Sequence, residues 1–588
     1  MVFGRDWALS QRRYRVSVDR DVRIPLPDGT VLVGDVFRPD TSEPVPVIAG
    51  FHPYNNEFQA EPIMPTGFSV QRGWLESGDP YFFARRGYAH AVFNVRGTGK
   101  STGLYQAMGP QEAQDGADAI EWLAGQPWCT GKAGLFGISY FAWLQIQIAM
   151  LTPPSLAAIF APFGATDFYR DFLYHGGIFS WRFLSHWKDK FDGLRYESWY
   201  RQQHGEQAYA DAIAAALADD ELAAVPPIVA SLTACLASPR GANAFVTDIV
   251  LARTENEWFT QRRVDYGSTG VPGYFGACWG LHGLHLPAAF RSFGHWQGPK
   301  KLVVGPPLYL DRPFYQMHHE ALRWFDHWLS GNDTGFADEA PVRLFMPGTG
   351  TWIEAPDWPL PQTRWTEFYL HQEGLLSEHD SWPADRATTF EDSPFAHAEA
   401  VWRTPPLVET TEVIGPMVLR LFASTTDTDA LFFATVFAED ADGPADELTR
   451  GWLRASQAAT DPARSTPWLP YHRHDHREPV QPGQVRQYDI PIVPAACRLR
   501  PGQRLRLRIK AADDEPPADM VLGTALGHVS RQNAALITIH HDEDHPSALL
   551  VPVTSGNLLG TFVSGGVLST RAETVPAAKI ARQKAGSP

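Results

Sequence analysis

The chain has 588 residues, 44% of them hydrophobic and 20% charged, with a formal net charge of −16. At about 100–200 residues per domain, that length calls for three or four domains. The composition is that of a globular chain rather than a disordered one, and the negative charge weighs against a nucleic-acid partner. Residues 14–38 alternate polar and apolar around Pro27-Asp28-Gly29-Thr30, a β-hairpin pattern. Val45–Phe51 and Ala89–Val95 read as buried strands, with a helix near Tyr81–Gly87 between them. Residues 111–126 have helical spacing and stop at Gly125. Ala133–Phe136 reads as a further strand and Trp143–Met150 as a helix. Strands alternating with helices predict a parallel sheet covered on both faces.

From about 168 to 250 strand patterns give way to aromatic and alanine-rich helical segments, the expected helical cap. Strand patterns return at Val271–Phe275 and Lys301–Val304, and a helix is predicted over Ala321–Leu329. Beyond about 360, short alternating runs such as Met417–Phe422 and Arg504–Ile509 predict a β-sandwich of jelly-roll type. The expected division is 1–167 and 251–358 for an α/β domain, 168–250 for its cap, 359–575 for the jelly roll and 576–588 for a frayed tail. The four cysteines are scattered, so no disulfide framework is expected. The opening residues carry no leader pattern and no apolar run reaches about 18 residues, so the expected location is the cytoplasm, away from membranes.

The segment richest in chemistry is Gly137-Ile138-Ser139-Tyr140-Phe141. A serine between a strand and a helix, with glycine two residues before it, is the nucleophile-elbow pattern. Phe141 stands where the strict pattern has glycine. Several ordered motifs accompany it: Pro53-Tyr54; Asn94-Val95-Arg96-Gly97-Thr98-Gly99-Lys100-Ser101; Gln126-Pro127-Trp128; Arg323-Trp324-Phe325-Asp326; Asp427-Thr428-Asp429; and Trp452-Leu453-Arg454-Ala455-Ser456. Through them the chain resembles the CocE/NonD hydrolases, a family of esterases and X-prolyl dipeptidyl peptidases, over about residues 14–560. The resemblance implies an α/β-hydrolase domain with an inserted cap, followed by a jelly roll. It also implies a serine nucleophile acting on an acyl ester or amide, with no cofactor and no metal. Asn94 stands at the family's Asp position.

On that resemblance Ser139 attacks the acyl carbonyl, while the Tyr54 hydroxyl and the Tyr140 backbone N–H stabilise the oxyanion. The acid and base positions depart from the family. Its G-W-x-D loop corresponds to Gly276-Ala277-Cys278-Trp279-Gly280-Leu281-His282, which offers no carboxylate, and the histidine position reads Tyr309. His318 is the expected substitute base, opening the next helix with Asp311 to orient it; His319, His282 and His285 are the other histidines nearby. The aromatic cap predicts a small, partly hydrophobic substrate. A rival reading keeps the fold with a degenerate triad, as an acyl transferase or a non-catalytic binder of a small molecule or partner. The histidine clusters at 472–476 and 540–545 lie in the sandwich, apart from the nucleophile, and are not expected to hold metal.

Overall fold

The computed structural model describes residues 9–54, 56, 74, 76–188, 194, 196–267, 269–306, 311–380, 382–394, 398–440, 443–514 and 526–558, without the side chains of 186 and 311–316. The tail at 576–588 lies outside them. β1 (Val16–Pro25) and β2 (Val31–Pro39) form the antiparallel hairpin. β3 (Val45–His52), α1 (Pro80–Ala84), β4 (Ala89–Asn94), α2 (Pro110–Ala124), β5 (Cys129–Phe136), α3 (Tyr140–Met150) and β6 (Leu156–Pro162) then alternate. An insert follows, with the ribbon β7 (Tyr174–His175) and β8 (Ile178–Phe179). Its helices are α4 (Arg182–Trp187), α5 (Trp199–Leu217), α6 (Asp220–Ala223), α7 (Pro226–Ala237), α8 (Phe245–Leu251) and α9 (Glu257–Thr260). β9 (Gly273–Cys278), α10 (Leu286–His295), β10 (Lys300–Gly305), α11 (Asp311–Trp328), β11 (Val342–Met346) and β12 (Thr351–Ala355) complete the sheet.

Its order is β1-β2-β4-β3-β5-β6-β9-β10-β11-β12. The stretch from β4 to β11 is parallel, and antiparallel strands flank it on both sides. β4 and β9 are buried along their whole length, as strands covered on both faces must be. Two of the sequence motifs turn out to be braces. Arg96 donates to Asp115 on α2 at 2.5 and 2.6 Å and to Asp28 in the hairpin turn at 2.9 Å. Asp326 on α11 accepts from Tyr88 Oη at 2.5 Å and from Ser10 Oγ at 2.6 Å.

Residues 364–555 build the second, all-β sheet system. Its long strand Thr411–Thr425 pairs with Arg486–Leu499 along one side and with Ala535–His540 and Ala548–Ser555 along the other. The pairing runs on from strand to strand, so the sheet curls into a closed, barrel-like sandwich. In the strand Arg504–Lys510, Leu505, Leu507 and Ile509 are buried, while the arginines between them are less so. That is the period-2 signature of a half-buried strand.

The sandwich is welded to the first sheet and its insert. Ile414, Leu431, Phe433, Trp452, Ala496 and Val529 belong to the same apolar cluster as the first sheet's core. Arg454, 2% exposed, donates to Asp429 at 2.7 Å within the sandwich and to both carboxylate oxygens of Glu221 on α6 at 2.8 Å. A chain of imidazoles crosses the same seam. Asp513 Oδ2 lies 2.6 Å from His528 Nδ1, His528 Nε2 lies 2.8 Å from His175 Nδ1, and His175 Nε2 lies 2.9 Å from the Gly283 carbonyl oxygen. No helix among the described residues is long and apolar enough to cross a membrane.

Candidate active site

Ser139 sits at the junction of β5 and α3 with φ 58° and ψ −117°, a conformation sterically disfavoured for a residue with a Cβ. Such strain persists only where surrounding contacts enforce it. Here the Ser139 N–H donates to the Phe163 carbonyl at 3.0 Å, and Ile138 N–H donates to the Glu76 carbonyl at 3.0 Å. Ser139 is the N-cap residue of α3, yet its hydroxyl makes no capping bond, and the residue is partly exposed. The side chain is therefore not spent on closing the helix. Gly137 has φ 131°, and a Cβ there would fall 2.6 Å from the Cβ of Phe141.

The phenylalanine that breaks the strict elbow pattern has a place to go. Its ring lies over Gly50 of β3, where an added Cβ would stand 2.8 Å from it, and it stacks on His52 at 4.8 Å between centroids. Here a glycine on the neighbouring strand makes the room that ring needs.

Tyr54 follows the end of β3, 8% exposed. The Asn94 amide donates to the Tyr54 carbonyl and, at 3.5 Å, to that of His52. A carboxylate has no proton to donate, so the departure from Asp at this position fits the contact it makes. Trp187 Nε1–H of the insert donates to the Tyr54 hydroxyl oxygen at 3.2 Å. That bond occupies a lone pair and directs the phenolic proton elsewhere. Trp187 packs with Phe172 and Phe245, at ring separations of 5.1 and 5.7 Å, so the aromatic insert reaches the candidate oxyanion donor.

The ring of Tyr140, the first residue of α3, meets that of Tyr54 edge-on at 6.2 Å. Its hydroxyl donates to Glu112 Oε2 at 2.6 Å and accepts from Met108 N–H at 3.2 Å. Burial pushes the Glu112 carboxyl up to about 7, against the opposing pull of its bonds to Tyr140 and Met108. Trp187 and Glu112 are absent from the sequence-based candidates. Neither sits in a recognisable motif, and both meet the site across a long chain separation.

His318 does not open its helix. α11 begins at Asp311, so His318 lies two turns in and 4% exposed, among Phe82, Phe83 and Phe136. Its Nε2 accepts from the Asp79 backbone N–H at 2.9 Å, which takes the lone pair a base would need. No hydrogen bond joins it to Ser139 among the described residues. The Asp311 side chain and Tyr309 lie outside them. His319 is exposed on the same helix. The ring of His282 has its nearest charged neighbours, Glu447 and Arg450, in the sandwich. His285 directs Nδ1 to the Gly164 carbonyl oxygen at 3.0 Å, and its Nε2 is buried without a described partner. Burial holds the His285 imidazole down at about 4. Trp279, in the loop after β9, donates its Nε1–H to the Phe345 carbonyl at 2.7 Å.

Comparison with known proteins fits this geometry. Residues 28–307 match the X-Pro dipeptidyl-peptidase (S15 family), and residues 334–550 match the X-Pro dipeptidyl-peptidase C-terminal non-catalytic domain. The chain belongs to the CocE/NonD hydrolases. It is 26% identical to the cocaine esterase of Rhodococcus sp. over 91% of this chain and 98% of that one. It is 26% identical to a putative serine esterase of Mycobacterium bovis over 73% of this chain and 79% of that one. The solved CocE/NonD family hydrolase of Staphylococcus aureus superposes with a TM-score of 0.77 at 22% identity, covering 91% of this chain and 93% of that one. An α-amino acid ester hydrolase superposes at 0.69 and 16% identity, covering 94% and 99%. This CocE/NonD chain thus has the family's two-part fold, an α/β sheet followed by an all-β sandwich.

Proposed function

We propose that the protein is a serine hydrolase that cleaves an ester or amide of a small, partly hydrophobic substrate through an acyl-Ser139 intermediate. The observation that carries this reading is the enforced left-handed backbone at Ser139, a partly exposed residue whose hydroxyl makes no capping bond. The attacking hydroxyl adds to the acyl carbonyl. The tetrahedral oxygen then accepts from the Tyr54 hydroxyl and from the Tyr140 N–H at the start of α3, where the helix dipole also favours negative charge. Collapse expels the alcohol or amine, and water or another acceptor resolves the acyl-serine. Trp187 holds the Tyr54 oxygen and lines the acyl side with the insert's aromatic rings.

The His318 Nε2 lone pair, already taken by the Asp79 N–H, favours a second reading. In it the fold binds a small molecule or partner without acyl chemistry. Without a working base, oxyanion stabilisation and binding still accelerate a reaction by about 10³–10⁴ over water. A serine-directed fluorophosphonate separates the two readings. Hydrolysis predicts labelling of the native chain at Ser139, and slow turnover of p-nitrophenyl esters, both lost in Ser139→Ala. A folded native chain that takes no label points to the binder. Adding a competing amine and analysing the products then distinguishes transfer from hydrolysis.

A further inference from the structure

His540 ends the strand Ala535–His540, and Asp542 and His545 lie in the turn leading to the strand Ala548–Ser555. One ligating atom from each of the three residues lies within 4.8 Å of the other two, and all three side chains are half-buried. The arrangement is held from outside. Ser424 Oγ lies 2.9 Å from His540 Nε2, the outer contact that orients an imidazole for ligation through its other nitrogen. Ser547 Oγ donates to the His540 carbonyl at 2.6 Å, and the His545 N–H donates to the Asp542 carbonyl at 3.1 Å. His545 Nδ1 and Asp542 Oδ1 are in direct contact at 2.9 Å, so the imidazole and the carboxylate already face each other.

The other histidine cluster of the sandwich is built differently. Both ring nitrogens of His472 lie against carbonyl oxygens, of Ala458 at 3.0 Å and of Asp489 at 2.8 Å. His474 Nδ1 is 3.0 Å from Gln457 Oε1, and His476 pairs with Asp475. Those rings serve the protein's own hydrogen bonds and do not converge.

We propose that His540, Asp542 and His545 form a site for a divalent transition-metal ion of the zinc class, on the sandwich and apart from Ser139. Two imidazoles and one carboxylate suit zinc rather than calcium or magnesium, which prefer all-oxygen shells. Zinc bonds to nitrogen and oxygen of about 2.0–2.2 Å need the three atoms drawn together by roughly 1 Å, a shift that half-buried side chains on a turn can make. The ion replaces the His545–Asp542 contact, and water fills the remaining positions.

The test is calorimetric titration of the full, untagged, chelator-treated chain with zinc chloride in a non-coordinating buffer. One zinc ion per chain with a micromolar Kd is expected, and magnesium gives no signal. His540→Ala and His545→Ala should each weaken binding at least tenfold, while both variants keep the native circular-dichroism spectrum. Ser139→Ala should bind zinc normally, which keeps this inference separate from the hydrolase reading. Absence of stoichiometric zinc binding overturns the proposal, as does an affinity unchanged in both histidine variants.

Discussion

At the scale of single residues, the candidate site is a set of donors aimed by their neighbours. Tyr54 depends on two of these: the Asn94 amide fixes its carbonyl, and the Trp187 indole fixes its hydroxyl oxygen. If the hydrolase reading holds, Tyr54→Phe should lower kcat by about 10²–10³ with little change in KM, because the lost bond forms only in the transition state. Steady-state kinetics on a p-nitrophenyl ester read this directly. Glu112 supplies a prediction about pH. Its carboxyl titrates near 7 in the folded chain, against an ordinary value of 4.5. Between those values the folded state holds the extra proton, so stability should fall as pH rises from about 4.5 to about 7. Urea midpoints across that range should show the decline, and Glu112→Gln should flatten this contribution to it.

At the scale of elements, the elbow illustrates what a sequence discloses and what it conceals. Strand, sharp turn and helix around Ser139 are legible because each signal is local: an apolar run, a glycine, then helical spacing. The tolerance of Phe141 is not legible, since it depends on Gly50 in a strand far away along the chain. His318 is misplaced for a related reason. Reading the helix from its strongest apolar stretch puts its start too late, and α11 extends back to Asp311. A histidine expected at a helix start is instead an interior residue packed by phenylalanines. The Gly50–Phe141 contact makes a prediction of its own. Gly50→Ala would press a methyl group 2.8 Å from the Phe141 ring and 2.9 Å from the Phe136 carbonyl oxygen. It should destabilise the fold by about 1–3 kcal/mol, measured by denaturant unfolding. Adding Phe141→Leu should recover part of that loss, a non-additive coupling expected of two residues in contact.

At the scale of the molecule, the sandwich and the α/β sheet share one apolar cluster and should melt in a single calorimetric transition. Arg454 is the polar counterpart of that shared core. Replacing it by alanine leaves Asp429 without its arginine and Glu221 with the longer Arg531 contact at 3.2 Å. The expected cost is about 3–5 kcal/mol, visible as a lowered melting temperature, with the insert and the sandwich separating into distinct transitions. The two-part fold was readable from the change of pattern near residue 360. The welding was not, because it rests on pairs such as Glu221 with Arg454 that no local pattern links.

The imidazole chain at that seam has a consequence of its own. Asp513, His528, His175 and the Gly283 carbonyl are linked end to end, so the sandwich, the ribbon β7–β8 and the loop after β9 hang on one relay of three contacts. Each ring takes part in two of the three, so losing either imidazole unfastens the relay at two places at once.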